Sequence, residues 1–88
     1  MKAVISVVGK DRPGILAFVS SECASRNINI VDVTQKVIDD YFTMIKFVEI
    51  GNDEVFANFV KDMEVKGDAE RLKIHVMHED IFNAMHSV

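Results

Sequence analysis

The sequence predicts an α+β sandwich in which two helices cover one face of a four-stranded antiparallel sheet. Three observations carry that expectation. Four short runs are rich in branched apolar residues, two longer runs place apolar residues at helical spacing, and along the 88 residues these alternate as β-α-β-β-α-β. A short amphipathic stretch follows, so residues 1–88 read as one domain in which 78–88 form a helical tail.

Lys2 to Val8 carries Ala3, Ile5 and Val7 on one side and Val4 and Val8 on the other, which predicts a central strand. After Asp11, Pro13 fits the first helical turn, where its missing N–H has no intrahelical partner, and the helix runs to about Arg26. Its buried stripe is Ile15, Leu16, Val19 and Cys23, with Ser20, Ser21 and Glu22 toward water and Asn27 as the exit residue. Ile28 to Ile38 alternates imperfectly. Ile28 and Ile30 point one way and Val31, Val33 and Val37 the other, so the strand contains a bulge or turns its second half toward another surface. Asp39-Asp40 makes a tight hairpin turn. Tyr41 to Ile50 then resumes as a strand in which Ile45 and Phe47 compete with Met44 and Val48 for the core.

Gly51-Asn52-Asp53 combines a turn with a helix N-cap, and Val55, Phe56, Phe59, Val60 and Met63 follow at helical spacing before Lys66 and a C-terminal Gly67. Leu72, Ile74 and Val76 alternate with Arg71, Lys73 and His75 as a last strand with one buried face. Glu79 to Val88 sets Ile81, Phe82, Met85 and Val88 along a short stripe, which predicts a short extra helix. The ensemble is the ferredoxin-like βαββαβ arrangement, with one sheet face and two edge strands left open. Apolar residues other than glycine make up 49% of the chain, a surplus that predicts a second copy over the open surface, as a homodimer or a higher even oligomer.

The formal charge is −4 and the isoelectric point about 5.2, which argues against a nucleic-acid surface. One cysteine, Cys23, permits no internal disulfide and favours a cytoplasmic location. Polar residues interrupt every apolar stretch, so the sequence offers neither a secretory signal nor a membrane span.

The fold order serves many chemistries, so function rests on sites. An acylphosphatase-like loop would need glycine-freed donors around an arginine after the first strand; Arg12 is there, but Asp11 beside it repels phosphate. A metallochaperone of this topology needs a C-x-x-C pair, and an RNA-recognition module needs aromatics on its first strand; both are missing. His75 and His78 are three apart, which on a strand places them on opposite faces and disfavours a shared metal ion, and His86 joins only through the tail. No nucleophile sits beside a base, and no cofactor motif is present, so the chain reads as non-catalytic.

The densest backbone punctuation is the run Gly9-Lys10-Asp11-Arg12-Pro13-Gly14-Ile15-Leu16, which holds two of the four glycines and the only proline. A helix N-terminus there offers free N–H groups to a carboxylate, Gly14 permits close backbone approach, and Asp11 accepts from an ammonium, a combination that suits a zwitterion. Equally, Pro13 and Gly14 suffice to start a helix with Asp11 as its cap.

This run, from Val7-Val8 through Ile15-Leu16, followed after one helix by Asn27-Ile28-Asn29-Ile30, resembles an ACT domain over essentially the whole chain. It is most similar to stand-alone ACT proteins and to the ACT repeats of glycine-cleavage-system repressors. The resemblance implies a regulatory module that binds an amino acid or similar small metabolite where the turn of one subunit meets the second strand of its neighbour. The ligand-binding residues it implies are Asp11, Arg12, Pro13 and Gly14 from the turn, with Asn29 and Asn27 from the start of the second strand. Many amino-acid-binding members carry asparagine where this chain has Asp11. The alternative expectation is a protein–protein interaction domain that docks on a larger enzyme or regulator through the sheet and the tail around Phe82 and Met85, without a small ligand.

Overall fold

The computed structural model describes residues 1–85. The elements run β1 (Lys2–Lys10), α1 (Ile15–Ser25), β2 (Asn29–Ile38), β3 (Tyr41–Glu49), α2 (Asp53–Ala69), β4 (Leu72–His78) and α3 (Glu79–Met85). The four strands form one antiparallel sheet in the order β2-β3-β1-β4, the ferredoxin-like fold that the sequence predicts. His86 and Val88, named above for a metal site and for the tail stripe, lie outside the described residues.

β1 is an inner strand because it is apolar on both faces. Ala3, Ile5 and Val7 enter the core beneath α1 and α2, and Val4 is buried on the opposite face. The competition in β3 is won by the even positions: Phe42, Met44 and Val48 lie in the core, while Ile45 and Phe47 take the other face. In β2 the expected bulge is present. The register with β3 shifts between Ile30 and Asp32, leaving Val31 over and returning Val33 and Val37 to the helix side opposite Lys46 and Phe42.

Helix ends follow local chemistry. The Asn52 side chain accepts from the Val55 N–H at 2.9 Å to cap α2. α1 ends in a Schellman motif: Asn27 adopts φ 57°, its N–H donates to Ala24 O at 3.1 Å, and the Ile28 N–H donates to Cys23 O at 2.9 Å. Buried Cys23 and Ile28 supply the accompanying apolar contact.

Several expectations are corrected. Pro13 precedes α1 rather than opening it, because Gly14 occupies the N-cap position. Leu16 is 43% exposed, since Ile15, Val19 and Cys23 already fill the width that α1 presents to the sheet. Glu22 is half-buried rather than turned fully to water. It accepts from Arg26 and from Lys66, at 3.1 and 2.7 Å, and Arg26 continues to Asp62 while stacking over the Phe59 ring. Hydrogen bonding from Lys66 holds the Glu22 carboxyl below its usual range. Gly67 does not end its helix; it is buried at the α2–β4 crossing, where a Cβ would lie 3.0 Å from the Ile74 side chain and Leu72 O. The α2 helix continues to Ala69, and Arg71 takes the left-handed exit at φ 60°.

Two features lie outside the expected plan. α3 packs on the open sheet face, with Phe82 meeting Phe47 edge-to-face at 5.7 Å, whereas Ile81 and Met85 point to solvent. The tail stripe is therefore split. Lys46 is 0% exposed in the middle of β3, its Nζ donating to Ser20 Oγ at 2.6 Å, so Ser20 also turns inward. Burial pushes the ammonium below the ordinary lysine value of 10.5, and it pushes the Cys23 thiol up.

Folded Lys46 releases its proton at lower pH than the unfolded chain does. Between those two values the unfolded chain binds more protons, so stability rises with pH. In urea denaturation from about pH 7 toward about pH 10, wild-type unfolding free energy is expected to climb relative to Lys46→Met; parallel curves would contradict the burial argument. Ser20→Ala removes the ammonium's acceptor and is expected to cost about 1–3 kcal/mol at neutral pH.

Candidate functional site

The turn between β1 and α1 is built by Pro13 and Gly14. Gly14 sits at φ 92°, ψ −5°, which matches the third position of a type II turn with proline at the second. Its carbonyl accepts the first intrahelical bond from the Phe18 N–H at 2.9 Å, but as glycine it has no side chain to cap with. The first-turn N–H groups of Ile15, Leu16 and Ala17 thus keep their donor capacity at the positive end of the α1 dipole. Asp11 does not cap the helix as one reading of the sequence expected. Its backbone N–H donates instead to Asp40 O at 2.7 Å, pinning the turn to the tip of the β2–β3 hairpin.

The turn lies between two recesses. Lys10, Asp11, Asp39 and Asp40 line one of about 340 Å³, and Lys10, Asp11, Arg12, Glu70 and Arg71 line another of about 220 Å³. Three acidic residues against one lysine line the first, a net negative lining that suits an ammonium group, while the helix N-terminus suits a carboxylate. Arg12 is already engaged: its guanidinium donates to Glu70 Oε2 at 2.9 Å and to Glu70 O at 3.1 Å, tying the turn to the end of α2. Asp11, Arg12, Pro13 and Gly14 are all exposed.

Asn27 and Asn29 stand elsewhere. They follow α1, whose 11 residues span about 16 Å, so one chain holds them at the opposite end of the helix from Gly14. Both are exposed, and Asn29 opposes Glu49 at the start of β2. The candidate residues therefore form two groups, one at each end of the β2 edge, because β2 begins at Asn29 and finishes at the hairpin that holds the turn.

The histidines diverge as their spacing implies. His75 opposes Ser6 on the open face, while His78 opposes Ala3 and its Nδ1 accepts from the Asp80 N–H at 3.1 Å. Among the described residues no cluster of three His, Cys, Asp or Glu could hold a metal ion. The Lys46–Ser20 pair is what sequence reasoning missed. Its one trace in the sequence is a lysine inside the even alternation Phe42, Met44, Val48.

Comparison with known proteins adds three findings. Residues 3–73 match the ACT domain family. Over 88 residues the chain is 46% identical to a UPF0237 protein of Streptococcus mutans, covering the full length of both. It superposes on an ACT domain protein from Streptococcus pneumoniae with a TM-score of 0.83 and 40% identity, covering 93% of each chain. A putative glycine cleavage system transcriptional repressor is also similar, with a TM-score of 0.74 and 25% identity over 85% of this chain and 43% of that one.

Nothing lies within 4 Å of a Cβ built at Gly14, so the cost of Gly14→Ala is purely conformational. It is expected to destabilise the fold by about 1 kcal/mol, while Gly51→Ala, equally uncrowded and without positive φ, is expected to be neutral or mildly stabilising. Equal denaturation midpoints for the two variants would sink the left-handed assignment.

Proposed function

The chain belongs to the ACT domain family, and from that membership we propose that it is a non-catalytic regulatory module binding an amino acid or similar small metabolite between two copies of itself. The observation that carries this reading is the β2 edge. Its outer side is unpaired among the described residues, and it exposes Val31, Val33, Val37 and Ile38, a combination that favours pairing with another strand. Two β2 edges related by a two-fold axis run antiparallel, so the start of one lies beside the end of the other. That arrangement sets Asn29 and Asn27 of one subunit beside Asp11, Pro13 and Gly14 of its neighbour.

In such a site the α1 N-terminus takes the ligand carboxylate and the carboxylates around Asp11 take its ammonium. Asn29 both donates and accepts, so it bridges the two ends. Arg12 acts through Glu70, holding the turn, rather than on the ligand. A ligand that spans two subunits stabilises the geometry it prefers by its differential affinity for that state, and this is the physical content of regulation here.

Isothermal titration of each proteinogenic amino acid into the full chain is expected to show binding for at least one at about 1 mM or below. Asn29→Ala is expected to weaken that binding roughly 10- to 100-fold, the worth of one charge-assisted hydrogen bond. No heat with any of them at millimolar concentration would sink the amino-acid reading while leaving the fold untouched.

A further inference from the structure

The sheet face opposite α1 and α2 is only half covered. Asp32, Phe47, Val4 and Met77 form one row across β2, β3, β1 and β4, and α3 packs over its β1 and β4 part, with Phe82 reaching Phe47 and Asp32 left exposed. The next rows, Thr34–Ile45–Ser6–His75 and Lys36–Thr43–Val8–Lys73, carry no helix among the described residues. Since a helix stands about 10 Å thick, this face is a step with one high half and one low half. The low half has a hollow of about 300 Å³ between Ser6, Val8, Thr34, Lys36, Thr43 and Ile45, and Val8 there is 41% exposed.

We propose that the low half receives α3 of a second copy, reciprocally about a two-fold axis. Shape is one reason, because a stepped face inverted on itself is self-complementary. Apolar content is another. Ile81 and Met85, four residues apart and so on one side of α3, are 56% and 63% exposed, and they supply the side chains that the hollow lacks. Charge is the third. The first turn of α3 carries Glu79 and Asp80, and the low half is flanked by Lys36, which makes no ion pair among the described residues, and Lys73, whose Asp68 partner is 3.9 Å away with both side chains largely exposed. This contact uses a different surface from the β2 edge and needs no ligand, so it stands or falls separately from the proposed function.

Light scattering of the full chain tests it. Ile81→Glu with Met85→Glu alters side chains already in solvent and is expected to halve the particle mass, with melting curves to show that the fold persists. Lys36→Glu with Lys73→Glu is expected to do the same. So is Glu79→Lys with Asp80→Lys, and mixing these last two proteins is expected to restore the wild-type mass, since each then meets its opposite charge. A monomeric wild type, unchanged mass in the variants, or failure of the mixture to reassemble would overturn the proposal. Blocking the β2 edge with Val33→Lys and Val37→Lys is expected to leave an assembly that still depends on Ile81 and Met85.

Discussion

The fold depends on β1 pairing along both of its sides. A strand that lies between β3 and β4 has both hydrogen-bonding edges paired; Ala3, Ile5 and Val7 fill its helix side, and on the other face Val4 is buried while Val8 stays 41% exposed. Two consequences follow for function. The β2–β3 hairpin can attach only outside β1, which puts β2 at the edge with its branched side chains uncovered. The end of β1 also arrives beside the hairpin tip, where the Asp11 N–H meets Asp40 O and fixes the turn. The edge and the turn are thus products of a single pairing pattern rather than independent inventions.

Most of this architecture was legible in the sequence because it is carried by local periodicity and punctuation. The αL exit at Asn27, the cap at Asn52, the bulge near Val31 and the alternation of Leu72 and Ile74 each follow from residues close together in the chain. What escaped depends on distant elements. Leu16 fits the helical stripe as well as Ile15 does, and only the width of the contact with the sheet decides between them. Gly67 looks like a stop signal until Ile74, from the following strand, is seen against it. The burial of Lys46 shows only once Ser20, on another element and 26 residues earlier, is seen to face it. For the candidate site, the turn was legible from Pro13 and Gly14, but the engagement of Arg12 by Glu70 was not, since it joins residues 58 apart.

The buried Lys46 marks a choice between stability and something else. An apolar side chain in the same volume would spare the desolvation of an ammonium that has one acceptor, and burial of that kind is a net cost in a small domain. On the helix side it opposes Ile5 on β1 and Val33 on β2, so it lies next to the strand through which two copies are proposed to pair. Elsewhere on α1 the ion pairs of Glu22 with Lys66 and of Arg26 with Asp62 bind α1 to α2. The helix that has Gly14 at one end and Asn27 at the other is therefore tied down between the two halves of the proposed site.

That spacing leads to the most direct test of the central claim, that each site takes its turn from one subunit and its asparagine from the other. Asn29→Ala chains, which lack the bridging amide, and Gly14→Ala chains, which carry a Cβ where the ligand would approach the backbone, would be mixed under exchange conditions and titrated with the amino acid that the wild type binds. Mixed dimers pair an intact turn with an intact Asn29 at one of their two sites, so the account predicts recovery of about a quarter of the wild-type sites at wild-type affinity. A mixture that binds no better than its separate components would contradict it.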